Sequence, residues 1–199
     1  MSNLNDFYKK NSVHAGEGYS QQLPEQSKFL REMVNKENVK NVMEIGFNAG
    51  HSAELFLSSN KNINLVSFDI GEHLCSLWGK NFIDQKYPNR HKLILGDSTK
   101  TVPEFSKKNN IKFDVIFIDG GHTYDIALAD IKNCKELAHS GTIVIVDDIV
   151  RRMDYMLKRR MGPKQAWNAA KKMGIINMIS YKDYERGRGN VWGKYILNK

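Results

Sequence analysis

Five short apolar, β-rich runs each stop at an acidic residue. They are Val42–Ile45 with Glu44 inside its end, Ile63–Phe68 ending at Asp69, Lys92–Leu95 followed by Gly96-Asp97, Phe113–Ile118 ending at Asp119, and Gly141–Val146 ending at Asp147-Asp148. Helical patterns separate them, and strand–helix alternation of this kind predicts a doubly wound, parallel α/β sheet. In such a sheet the carboxyl ends of the strands share one edge, where ligands bind. One acidic residue there solubilises a loop; five along one edge read as a site.

The first strand runs into Glu44-Ile45-Gly46-Phe47-Asn48-Ala49-Gly50-His51-Ser52. Gly46 and Gly50 have no Cβ, so the chain can turn sharply and a ligand can approach bare backbone. The pattern is E-x-G-x-x-x-G, not the G-x-G-x-x-G of dinucleotide-binding folds; Asn48 stands where the middle glycine would admit a pyrophosphate. Asp69 follows Gly50 at a spacing that suits a grip on ribose hydroxyls.

The remaining elements read as follows. Pro24 opens a helix with Phe29, Leu30, Met33 and Val34 on one face. A helix covers 51–59, a looser region 70–90, a short helix 102–109 and a helix 123–138. Helices near 151–160 and 163–173 precede two runs, 175–182 and 191–197, that suggest an antiparallel hairpin. Residues 1–22 are polar and expected to be a flexible segment or lid, with a single domain over 23–199. No apolar run approaches about 18 residues, so no membrane span is expected. Two cysteines without metal spacing, Cys75 and Cys134, suit a reducing, cytoplasmic setting and plain packing roles.

The net charge of +8 is uneven: residues 151–199 hold 13 Lys and Arg against 3 Asp and Glu. The basic third suits an anionic partner, although a solvated helix face explains it equally well. Asp119, Asp147 and Asp148 bring three carboxylates together from two strand ends. Mutual repulsion would raise their pKa values unless a cation joined them, and an all-oxygen set suits Mg²⁺, Mn²⁺ or Ca²⁺. His122, three residues after Asp119 in a Gly-rich turn, is placed to accept a proton near neutrality.

From about Leu23 to Ile196 the chain resembles class I S-adenosylmethionine-dependent methyltransferases. That resemblance implies a mostly parallel seven-stranded sheet with a C-terminal antiparallel hairpin. It implies S-adenosylmethionine as cofactor, bound by Glu44, Gly46, Phe47, Asn48, Gly50, Ser52, Asp69, Ile70, Asp97, Ser98 and Asp119. The Asp119-x-x-His122 pattern followed by Asp147-Asp148 is similar to metal-dependent O-methyltransferases of the macrocin-type sugar group. In catechol O-methyltransferase-like enzymes a lysine takes the base position instead. The implied assignment is a metal on Asp119, Asp147 and Asp148, catalysis by His122 and Asp119, and a sugar or glycan acceptor. Tyr19, Arg151, Arg152, Tyr184 and Arg188 are weaker candidates for the acceptor pocket, whereas Trp167 is expected in the core. A catechol-type acceptor, or a nucleic acid held by the basic third, are the alternatives; no Asn-Pro-Pro-Tyr-type signature of base methylation occurs. A homo-oligomer is compatible with the sequence.

Overall fold

A computed structural model describes residues 3–11, 23–149, 161–185 and 188–197. Tyr19, Arg151, Arg152 and the expected helix near 151–160 lie outside these residues. Among the described residues seven strands form one sheet: β1 (Asn41–Ile45), β2 (Asn64–Asp69), β3 (His91–Leu95), β4 (Phe113–Ile118), β5 (Ala138–Val146), β6 (Ile176–Asp183) and β7 (Gly189–Tyr195). Their order is β3-β2-β1-β4-β5-β7-β6. The first five pair in parallel, while β7 runs antiparallel to both β5 and β6. The doubly wound sheet and its C-terminal hairpin therefore match the sequence expectation.

Helices α1 (Leu4–Lys10), α2 (Pro24–Val34), α3 (His51–Ser59), α4 (Leu74–Lys86), α5 (Ser98–Lys108), α6 (Tyr124–Cys134) and α7 (Gly162–Lys172) cover the sheet. Successive strand residues face opposite layers. Met43, Ile45, Ile116 and Ile118 join one buried cluster with Ile131, Trp167 and Ala170. Val42, Val115 and Phe117 join the other with Leu30, Phe56 and Ile83. Both faces of β1 and β4 are thus covered, which is why their sequences are nearly continuous apolar runs. Trp167 lies in the core, as expected.

Three boundaries differ from the sequence reading. The region 70–90 is not loose but contains α4, whose apolar residues split between buried Cys75, Phe82 and Ile83 and exposed Leu74, Leu77 and Trp78, blurring the periodicity. Helix α5 begins at Ser98, not near 102, because Asp97 Oδ1 accepts the Thr99 N–H at 2.9 Å and caps an earlier start. Strand β5 begins at Ala138, where a helix was expected, after a single 3₁₀ turn at Lys135–Leu137. Thr142 anchors it there, accepting from the His139 N–H at 2.8 Å and donating to the Phe113 carbonyl at 2.6 Å.

Within the segment expected to be flexible, α1 is helical and buries Leu4 and Tyr8. Its Leu4 N–H donates to the Glu54 carboxylate at 3.2 Å. The Tyr8 hydroxyl reaches both the Ala49 and Cys75 carbonyls at 2.9 Å. The first helix is therefore fastened to the glycine turn after β1 and to the start of α4.

Candidate active site

The chain reverses its direction of winding between β1 and β4, so the crevice at their carboxyl ends is the topological switch point. Gly46 and Asp119 leave those two strands side by side. Gly46 has φ +98°, and a Cβ there would lie 2.0 Å from the Asp119 carbonyl oxygen. Only glycine permits this approach. Asn48 and Gly50 follow with φ of 46° and 85°, curling the turn into the start of α3.

A cleft of about 410 Å³ opens over this edge, lined in part by Gly46, Asn48, Asp69, Ile70, Asp97, Ser98, Asp119, His122 and Ile126. Asp69 is held rigidly at the end of β2. Its Oδ2 accepts the Asn48 N–H at 2.7 Å and its Oδ1 the Gly71 N–H at 2.8 Å. The Ser76 hydroxyl also donates to Oδ1, at 3.4 Å, so Oδ2 is the oxygen that keeps a second lone pair for a ligand hydroxyl. A larger hollow of about 700 Å³ between α1, α2 and α3 contains none of the strand-end carboxylates. Convergent chemistry, not size, marks the smaller cleft as the site.

Not every expected cofactor residue faces this cleft. Glu44 is fully buried and points to the α3 side, taking hydrogen bonds from Ser52 at 2.7 Å and Ser67 at 2.6 Å. Desolvation pushes its pKa up to about 7, against the opposing pull of the two hydroxyls. Phe47 is buried and stacks on His91 with ring centroids 5.2 Å apart. Gly50 packs on the Phe47 ring. Glu44, Phe47, Gly50 and Ser52 therefore shape the turn from behind, because strand alternation and helix entry send them inward.

At one end of the cleft stand the acidic groups. Asp119, His122 and Asp148 each offer a ligand atom, and these atoms all lie within 4.8 Å of one another. His122 Nε2 lies 2.6 Å from Asp148 Oδ2, and Arg188 Nε lies 3.3 Å from Asp148 Oδ1. Asp148 sits at φ +53°, an uncommon backbone state for a non-glycine residue. Burial raises the Asp119 carboxyl well above the ordinary range, repulsion from Asp147 and Asp148 adds to it, and Arg188 opposes. The residue keeps some exposure to the cleft, but its carboxylate is desolvated.

Asp147 departs from the expected metal trio. Its Oδ2 accepts from the Gln26 side chain at 2.7 Å and its Oδ1 from the Asn190 side chain at 2.7 Å. Tyr184 in turn donates to Asn190 Oδ1 at 2.8 Å. Burial, then repulsion from Asp148, raises Asp147 to about 7. The clustered donor set contains His122 in place of Asp147, whose side chain is turned into this amide network. Tyr184, expected at the acceptor pocket, is buried and its hydroxyl is committed to Asn190. Arg188 does reach the site.

A family profile described as "Methyltransferase domain" matches residues 43–149, more than half of the chain. The chain belongs to this methyltransferase family. Among curated relatives it is 22% identical over 178 residues to a catechol O-methyltransferase of Niastella koreensis, an alignment covering 81% of this chain and 77% of the relative. Its fold is similar to an O-methyltransferase from Bacillus cereus solved with SAH, with TM-score 0.75 and 18% identity over 97% of this chain and 90% of that one. It is also similar to a TDP-rhamnose 3'-O-methyltransferase of calicheamicin biosynthesis, with TM-score 0.63 and 17% identity over 85% and 80% of the two chains.

Several residues of this methyltransferase site were not foreseen. Gln26 and Asn190 come from elements far from Asp147 in sequence, and nothing in their neighbourhoods marks them. Ile126 and Gly121, in contrast, follow directly from the Gly-rich turn after β4 and the first turn of α6.

Proposed function

We propose that this methyltransferase carries a methyl group from S-adenosylmethionine to a hydroxyl oxygen of a sugar or glycan, with a divalent cation at the acceptor side. The observation that carries the reading is the cluster of Asp119, His122 and Asp148 at the end of the cleft, within reach of one small ion or one acceptor hydroxyl. Asp69, Ile70, Asp97 and Ser98 hold the nucleoside, and the turn from Gly46 to Asn48 holds the amino-acid end against bare backbone. With Nε2 directed at Asp148, His122 keeps Nδ1 as a proton acceptor for the hydroxyl.

The donor set fits a divalent ion. Two desolvated carboxylates that repel each other are stabilised by a cation; carboxylate oxygens suit Mg²⁺, Mn²⁺ or Ca²⁺, and an imidazole among the ligands would move the preference from Mg²⁺ and Ca²⁺ toward Mn²⁺. Asp119 and Asp148 are its ligands; Asp147 orients the edge through Gln26 and Asn190. When bound, such an ion lowers the pKa of a coordinated hydroxyl. A second reading, in which His122 is itself a ligand rather than the base, draws on the 4.8 Å clustering. Metal titration separates the two: His122→Ala retains the ion if His122 is the base and loses it if His122 is a ligand.

A sugar acceptor is supported by the likeness to a TDP-rhamnose enzyme and by Arg188 beside the cluster, which suits an anionic acceptor. The catechol-named relative supports a phenolic acceptor instead. Two free, buried cysteines suit a reducing compartment such as the cytoplasm. The test is methyl transfer from labelled S-adenosylmethionine to deoxysugar glycans, nucleotide sugars, catechols and RNA, with Mg²⁺ and then with EDTA. Transfer to a sugar that EDTA abolishes is expected. Transfer that survives EDTA would remove the cation, and labelling of catechols or RNA alone would replace the acceptor.

A further inference from the structure

The His122–Asp148 contact joins two elements that are held separately. Asp148 follows β5 and is gripped by Arg188 at 3.3 Å. His122 belongs to the turn after β4, and that turn is pressed from three sides. A Cβ on Gly120 would lie 2.9 Å from Ile45 Cγ2 of β1, and one on Gly121 would lie 2.7 Å from Ile126 Cγ2 of α6. The third side is Gly162, the first residue of α7. A Cβ there would lie 2.2 Å from the His122 carbonyl oxygen, 2.5 Å from the Thr123 carbonyl carbon and 2.6 Å from the Tyr124 backbone nitrogen. The backbone of Gly162 is not left-handed, so no turn conformation demands a glycine. A glycine within a helix costs stability relative to alanine, and what it permits here is close approach.

Helix α7 is firmly anchored behind this contact. Ala166, Trp167 and Ala170 are buried in the same core cluster as Ala127, Leu128 and Ile131 of α6. Pro163 closes a small hollow whose other walls include Asp119, His122, Asp147 and Asp148. A Cβ at position 162 would therefore displace the backbone of residues 122–124 by about 1 Å to regain van der Waals distance. The 2.6 Å contact between His122 and Asp148, lengthened by that much, is no longer a hydrogen bond. We infer that Gly162 is a positioning residue for the reaction: by admitting α7 against the 122–124 backbone, it sets the His122 ring at hydrogen-bonding distance from Asp148 and leaves Nδ1 directed at the acceptor hydroxyl. The inference rests on the proposed role of His122 as proton acceptor and adds the element that holds it in place.

Two-bond nitrogen–proton correlation spectra of the full chain show which ring nitrogen carries the proton; the His122 signals are those lost in His122→Ala. With the ring neutral, wild-type His122 is expected to hold the proton on Nε2, toward Asp148, whereas in Gly162→Ala it should exchange between the two nitrogens. Turnover should fall about 10²-fold, the cost of a misplacement of about 1 Å, while calorimetric binding of S-adenosylhomocysteine stays within about threefold. In a His122→Ala background, adding Gly162→Ala should change the remaining turnover by less than about twofold, because α7 acts through the ring. A loss that multiplies onto that of His122→Ala would mean general distortion of the site and overturn the inference, as would an unchanged proton position in Gly162→Ala. Should Gly162→Ala not fold, Trp167→Phe loosens α7 instead; the indole N–H has no partner among the described residues, so no hydrogen bond is lost. There too the proton should leave Nε2 part of the time, and an unchanged ring would overturn the inference. The spectra need no acceptor. A mobile proton in Gly162→Ala together with undiminished turnover in His122→Ala would leave the placement of the ring intact and remove the base role beneath it.

Discussion

His122 Nε2 stands 2.6 Å from Asp148 Oδ2, although 26 positions separate the two residues in the chain. The carboxylate that expectation assigned to metal binding therefore also orients the imidazole, and Arg188 holds that carboxylate from its other oxygen at 3.3 Å. A histidine steered in this way presents one ring nitrogen in a constant direction.

Asp148→Asn should lower turnover by about 10²- to 10³-fold, in the range of a disrupted proton transfer. Binding of S-adenosylhomocysteine should stay within threefold of wild type. Steady-state kinetics with calorimetry checks both. An equal loss of cofactor affinity would mean that the pair builds the cleft and does not serve the chemistry.

Gly46→Ala should be strongly destabilising. Its new Cβ would meet the Asp119 carbonyl at 2.0 Å with φ at +98°, so the β1 and β4 ends must part. A loss of about 3 kcal/mol or more in urea denaturation is expected, or failure to fold. Cofactor binding should weaken with it, because the same turn lines the cleft.

Tyr8→Phe removes a donor shared by the Ala49 and Cys75 carbonyls. The expected destabilisation is about 1–3 kcal/mol, from two buried acceptors that lose their partner. The glycine turn and the start of α4 would then be less firmly joined, so KM for S-adenosylmethionine should rise more than kcat falls. An unchanged KM would separate α1 from the cofactor site.

Glu44 makes stability depend on pH in a direction opposite to that of most carboxylates. Its pKa is about 7 in the fold against an ordinary 4.5, so the folded chain keeps a proton that the unfolded chain releases. Between these values stability falls as pH rises, by about 3 kcal/mol in total, and levels off above pH 7. Glu44→Gln cannot lose this proton. Urea melts should show the variant gaining on wild type between pH 5 and pH 8; a constant difference across that range would rule out a protonated Glu44.

The strand ends were legible because burial on both faces forces apolar runs, and a run that stops at an acid announces the ligand edge. Asp69, Asp97 and Asp119 follow from that pattern, Gly46 from the glycine turn, and Asn48, Ile70 and Ser98 from the methyltransferase resemblance; all seven line the cleft. Helix α4 was not legible, because its exposed Leu74 and Leu77 and buried Phe82 erase the polar stripe that signals a half-buried helix. The fastening of α1 was equally hidden: one tyrosine hydroxyl reaches carbonyls 41 and 67 positions away.

The sequence by itself determined the order of the strands and of the helices other than α1 and α4, the ligand edge and the residue types assembled on it, since periodicity and turn chemistry are local properties. Which way each of those side chains faces was decided only by the tertiary structure. Glu44 and Asp69 both come from strand ends, but pleating sends one into the core against Ser52 and Ser67 and leaves the other at the cleft. Asp147 and Asp148 are neighbours, but the left-handed backbone at Asp148 turns them apart, one to Gln26 and Asn190 and the other to His122. Adjacent residues diverge in this way because hydrogen-bond partners are chosen by distance in space, and those partners come from α2, β7 and the turn after β4.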